Sequence, residues 1–139
     1  MVIIDTSAWV EFFRRDGETL IKLTVKGLLD AFEGALCGPV EMEFLGGARP
    51  NEMKAIQRWF DIMPYLKNDQ KIWRKAAENY SKVRASGHTV PWNDILIATI
   101  AKENEAVVYA HDKHFTIMAK ILKFRLYQGG YNGMFNPDY

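Results

Sequence analysis

A charge imbalance is the first thing this 139-residue chain lacks. Eighteen Lys and Arg stand against 17 Asp and Glu, a net charge of +1. Composition therefore gives no bulk attraction to nucleic acid, and a polyanion would have to be held by a local basic patch. Cysteine is nearly absent. Cys37 alone cannot close an intrachain disulfide and has no CxxC partner, which fits a reducing compartment. No uninterrupted apolar stretch approaches membrane-spanning length. The positive charges follow the first apolar run instead of preceding it, unlike a secretory signal. Ser7 has no GxSxG elbow, and the glycine pairs at 46–47 and 129–130 match neither a P-loop nor a dinucleotide fingerprint. His88, His111 and His114 are not spaced like a zinc site. These absences leave a soluble cytoplasmic chain with no membrane partner as the expectation. Residues 1–139 read as one domain, with 129–139 as a loosely ordered tail.

What is present begins at the first residues. Val2-Ile3-Ile4 is a short β-branched run that stops at Asp5, and Thr6-Ser7 then lead into an amphipathic segment. That order describes a buried parallel strand feeding a helix, with an acid at the strand's carboxyl end. Helices are expected over 6–14, 18–32, 40–47, 51–63, 70–86, 94–104 and 115–122. Strands are expected over 35–38, 65–66, 106–110 and 123–127. In these helices Leu20, Leu23, Leu28 and Leu29 are expected to face inward, and Trp9, Phe12, Trp73 and Tyr80 to belong to the core. Strands alternating with helices indicate an α/β fold with a mostly parallel central sheet.

Four acids stand out from this frame. Asp5 and Asp112 lie just past strand ends, Asp94 opens a helix, and Glu43 lies within a helix that follows a strand. Singly, each has an ordinary explanation as a helix cap, a turn residue or a solvated acid. Together, three of them fall at the carboxyl edge of the sheet, where open α/β folds place their ligands. Converged carboxylates repel one another, and a hard divalent cation such as Mg²⁺ or Mn²⁺ supplies the missing counter-charge.

The order and spacing of Asp5-Thr6-Ser7, Glu43 with Gly47 four residues on, Asp94-Ile95-Leu96-Ile97-Ala98 and Asp112-Lys113-His114-Phe115 resemble the PIN-domain family. Within it they are most similar to the VapC toxins of prokaryotic toxin–antitoxin pairs. Ala110 departs from the pattern, since many relatives carry Thr there. The resemblance implies a three-layer α/β/α fold and a Mg²⁺- or Mn²⁺-dependent ribonuclease that cuts RNA such as tRNA or ribosomal RNA. It further implies a homodimer silenced by a cognate antitoxin. Asp5, Glu43, Asp94 and Asp112 would be its catalytic metal ligands, with Ser7 and Thr6 supporting them. Arg14, Arg15, Lys113 and His114 flank the expected site loops and would touch the RNA backbone; His114 itself reads as a surface or supporting residue, not a ligand. Two other classes compete. One is a PIN-fold module that binds RNA or antitoxin without cutting. The other is a receiver-like phosphoacceptor, which would need an acidic neighbour beside Asp5 that the first strand does not offer.

Overall fold

The computed structural model describes residues 1–129. The expected tail lies outside the described residues from position 130 onward. In chain order the elements are β1 (Val2–Ile4), α1 (Thr6–Phe13), α2 (Thr19–Asp30), β2 (Gly34–Cys37), α3 (Gly38–Gly46), α4 (Pro50–Asp61), β3 (Tyr65–Leu66), α5 (Gln70–Ala85), α6 (Trp92–Glu103), β4 (Val107–Tyr109) and α7 (Lys113–Leu122). The strands form one sheet in the order β3-β2-β1-β4, every pair parallel. The seven helices of the described residues flank it in a three-layer α/β/α arrangement. All residues of β1, β2 and β4 are buried, as parallel strands covered on both faces require.

Topology decides where a ligand can sit. The chain runs outward from β1 through β2 to β3, then returns to place β4 on the other side of β1. The order therefore reverses between β1 and β4, and open α/β folds place their ligands outside the carboxyl ends of strands at such a point. Asp5 follows β1, and the segment carrying Asp112 follows β4.

A nest of aromatic rings fixes the first helix against its neighbours. Trp9 is fully buried, with ring centroids 5.9 Å from Phe12, 6.0 Å from Phe13, 6.1 Å from Phe44 and 5.4 Å from Phe60. Such offset and edge-on contacts add to the burial of large apolar rings. They clamp α1 against α3 and α4, so the elements carrying Asp5 and Glu43 share one rigid support. On the other flank α6 is buried at every position from Asp94 to Ala101. Within it, Asn79 Nδ2 of α5 donates to Thr99 Oγ1 (2.9 Å), while Thr99 Oγ1 donates to Ile95 O (2.7 Å). This satisfied polar pair sets the register of α5 on α6.

Several expectations shift. The inner face of α2 is Ile21, Thr24, Val25, Leu28 and Leu29, whereas Leu20 and Leu23 are turned to solvent. The face that holds Leu28 and Leu29 passes through Ile21 and Val25 at helical spacing, and Leu20 and Leu23 fall off that line. Likewise Ile72, Ala76, Asn79 and Val83 form the inner face of α5. Trp73 and Tyr80 lie one residue round and are exposed, not core; Trp73 instead meets Trp92 at 6.5 Å. The strand expected over 123–127 reduces to one parallel bridge, Val108 with Leu126. Lys123 ends α7 in a left-handed turn, after which the chain's strand pairing is with the edge of the three-residue β4. Finally, α6 begins at Trp92 behind Pro91, which puts Asp94 inside the first turn instead of at its cap.

Candidate metal centre

Each acid is held by a different local device. Asp5 caps α1, its Oδ2 accepting the Ser7 N–H (3.0 Å) and the Ser7 hydroxyl (2.6 Å). The same Ser7 Oγ accepts the His111 N–H at 2.9 Å. One hydroxyl thus ties the exit of β1 to the turn after β4. Asp112 caps α7, its Oδ1 accepting the His114 N–H at 2.9 Å. Asp94 is buried in the first turn of α6, where the helix dipole favours a negative charge. Glu43 projects from α3, and its Oε2 accepts Asn93 Nδ2 at 3.1 Å.

The electrostatics report that these groups converge. Burial raises the Asp5 carboxyl above its ordinary value; the Ser7 hydrogen bonds oppose this, and the Glu43 charge adds to it. Asp94 is pushed up to about 6, first by burial and then by the charges of Asp5 and Asp112, against a lowering by His114, with Glu43 adding a further rise. Asp94 thus feels the charge of each of the other three acids, and Asp5 that of Glu43. The tightest group among the described residues is Asp94, Asp112 and His114, whose ligand-type atoms all lie within 4.8 Å of one another.

Three polar atoms that line this region are buried with no hydrogen-bond partner: Asp5 Oδ1, Asn93 Oδ1 and His114 Nδ1. An unpartnered buried carboxylate oxygen is costly, and mutual repulsion among four carboxyls adds to that cost. Oxygen donors in excess, with one imidazole nitrogen, fit the ligand set of a divalent cation. A carboxyl must be ionised to take that role, so cation and proton compete for Asp94. Below a pH of about 6 the apparent cation affinity is expected to fall by up to about tenfold per pH unit. Calorimetric titrations at several pH values check this, and a flat profile would contradict it.

The remaining residues named from the sequence are distributed unevenly. The Thr6 hydroxyl is buried without a hydrogen-bond partner, but its backbone N–H favours the ionised form of Asp5. Lys113 is exposed at the start of α7. Arg14 and Arg15 sit past the far end of α1 from Asp5, about 12 Å along the axis, where they line a separate groove with Phe13, Phe44 and Arg49. His114 is closer to the acids than the sequence suggested, its Nδ1 3.4 Å from Asp94 Oδ2 and 3.3 Å from Asp112 Oδ1. Asn93 was missed. Its only signal in the sequence is adjacency to Asp94, and its partner lies 50 residues away.

Comparison with known proteins agrees with this geometry. The PIN domain family model matches residues 2–121. The chain is 39% identical over 126 residues to the VapC ribonuclease Mb1587 of Mycobacterium bovis, spanning 87% of this chain and 93% of that protein. Among solved structures, its fold is similar to FitAcB from Neisseria gonorrhoeae, with a TM-score of 0.71 at 16% identity over 92% of this chain and 97% of that one. It is also similar to VapBC-1 from nontypeable Haemophilus influenzae, with a TM-score of 0.69 at 19% identity over 91% and 96%. The chain belongs to the PIN-domain family, and within that family it is VapC-like.

Proposed function

We propose that this protein is a divalent-metal-dependent endoribonuclease and the toxin of a toxin–antitoxin pair, acting as a single domain. The observation that carries the reading is the convergence of Asp5, Glu43, Asp94 and Asp112 on the crevice between β1 and β4, with Asp5 Oδ1 buried and unpartnered. The 39% identity to a VapC ribonuclease supports the choice of RNA as substrate.

Asp5, Glu43, Asp94 and Asp112 would hold Mg²⁺ or Mn²⁺. When bound, the cation lowers the pKa of the attacking water and offsets negative charge developing on the phosphodiester. The chain's own groups prepare that site. Ser7 holds Asp5 in one rotamer, so its free oxygen faces the crevice. Asn93 fixes Glu43 from the neighbouring helix. Asp112, as the cap of α7, is held in place by the His114 N–H on its Oδ1, and the carboxylate keeps lone pairs for a cation. Lys113 stands exposed next to it, in position to meet a phosphate of the RNA backbone. Arg14 and Arg15, on the far side of α1, would meet only a more distant part of a bound strand.

The substrate is RNA of the tRNA or ribosomal class. The partners are a cognate antitoxin and a second copy of this chain, and the compartment is the prokaryotic cytoplasm. Solved FitAcB and VapBC-1 structures, which share the fold, support the antitoxin assignment. Incubating purified protein with total RNA, isolated tRNA and ribosomal RNA in Mg²⁺ tests the substrate. A few discrete products are expected. Uniform degradation of all RNA would contradict a selective toxin, and intact RNA in every pool would favour a module that binds without cutting.

A further inference from the structure

The acids alone do not account for the innermost part of the centre, because an imidazole nitrogen lies among them. We propose that His114 Nδ1 is a direct ligand of the cation held by Asp94 and Asp112, which makes a mixed nitrogen–oxygen site that favours Mn²⁺ over Mg²⁺. The proposal rests on the metal-dependent reading of the site given above.

Local structure explains why His114 is there. The Asp112 carboxylate caps α7 by accepting the backbone N–H of His114 at 2.9 Å. That bond seats residue 114 against the carboxylate two residues before it. Phe115 beside it is fully buried, so the first turn of α7 is anchored in the core. Nδ1 comes to rest 3.3 Å from Asp112 Oδ1 and 3.4 Å from Asp94 Oδ2.

The ordinary explanation is an imidazolium bridging two carboxylates. It would align the ring N–H with one of the oxygens. Here Nδ1 is buried and makes no hydrogen bond, although both oxygens are within 3.5 Å. Three donor-type atoms, one each from Asp94, Asp112 and His114, that lie within 4.8 Å of one another suit the edges of a coordination shell. An octahedral cation with bonds of about 2.1 Å keeps adjacent donors about 3 Å apart. Closing the two nitrogen–oxygen spacings to that value takes only a few tenths of an ångström.

Histidine elsewhere in the chain does not serve this purpose. His111 is exposed and pairs its Nε2 with Glu18 at 3.8 Å, and His88 is exposed beyond α5. The nitrogen matters because Mg²⁺ requires oxygen ligands and gives up water reluctantly, whereas later divalent ions accept imidazole readily. A centre of carboxylates alone separates the two weakly; one with His114 does not.

Pulsed EPR of the Mn²⁺-loaded full-length protein reads nitrogen ligation directly. Wild type is expected to show ¹⁴N modulation on Mn²⁺ that changes to the ¹⁵N pattern when histidine is ¹⁵N-labelled, a result that needs no variant. His114→Gln is expected to lose the modulation. Calorimetry on the same pair is expected to show Mn²⁺ affinity falling about tenfold or more, with Mg²⁺ affinity changing by less than about threefold. Mn²⁺ bound without nitrogen modulation, modulation that survives His114→Gln, or an equal loss for both metals would overturn the proposal while leaving the metal centre standing. Wild type that binds neither metal would overturn the metal-dependent reading itself, and this ligand assignment with it.

Discussion

Asp5→Asn is expected to remove RNA cleavage and at the same time raise the melting temperature of the metal-free protein. The two effects share one origin. Asp5 is buried, and burial together with the Glu43 charge raises its carboxyl above the ordinary range. The folded state therefore binds a proton more tightly than the unfolded chain does. Stability associated with that proton is complete below the unfolded carboxylate range and is lost as pH rises through the folded value. At neutral pH the ionised group works against the fold. Asparagine keeps the shape, caps a helix as well as aspartate does, and retains an oxygen for the two Ser7 hydrogen bonds. It removes the charge, and with it a ligand able to offset a cation. A loss of cleavage on the order of 10²–10³ is expected, the scale of deleting one electrostatic stabiliser in an active site. Thermal melts in EDTA at neutral and acid pH, beside RNA cleavage in Mg²⁺, measure both arms. The stability gain should shrink as the pH falls. A variant that is inactive and also less stable in EDTA would mean that Asp5 serves the fold.

Ser7→Ala should cost less but report on something the acids cannot. The Ser7 hydroxyl donates to Asp5 Oδ2 at 2.6 Å and accepts the His111 N–H at 2.9 Å. It therefore sets the rotamer of one acid and the path of the turn leading to another. A loss of about 10–100-fold in cation affinity or cleavage is expected, as for other groups that orient a ligand without touching the metal. Stability should fall by only about 1 kcal/mol, since the His111 N–H is exposed and water replaces the lost acceptor. Ser7→Thr, which restores the hydroxyl, should recover most of the loss. Cation affinity unchanged in Ser7→Ala would reduce Ser7 to a helix-cap residue.

Much of this centre was legible before any coordinates. An apolar run ending in Asp5 specifies a buried strand with an acid at its carboxyl end, because a three-residue strand covered on both faces has to be apolar throughout. Asp112 was legible for the same reason, after β4, whereas Asp94 stood out as an acid at a helix start and lies within the first turn of α6. What the pattern did not carry is side-chain direction across elements. Asn93 meets Glu43 only because α3 and α6 are packed together, a contact 50 residues apart in sequence. His114 reads as a phosphate-contacting or supporting residue until the cap at Asp112 turns its ring inward. The misplacement of Trp73 and Tyr80 has a different cause. Helical spacing identifies a set of aligned residues, yet a shift of one position selects Ile72, Ala76 and Val83 as the buried face and leaves the aromatic set outside. The apolar residues at 72, 73, 76, 77, 80 and 83 span both faces, and packing buries only part of that set. The segment 123–127 illustrates a third limit. Strand-forming residues were present, but the available edge, β4, is three residues long.

The central claim is that the crevice between β1 and β4 hydrolyses RNA by means of a divalent cation held by its carboxylates. The most direct test follows cleavage of a single RNA substrate as Mg²⁺ or Mn²⁺ is removed with EDTA and then restored, with Asp94→Asn treated identically. Cleavage that stops in EDTA, returns with added cation and never occurs in Asp94→Asn is the predicted result. Cleavage that continues in EDTA, or proceeds at the wild-type rate in Asp94→Asn, would contradict it.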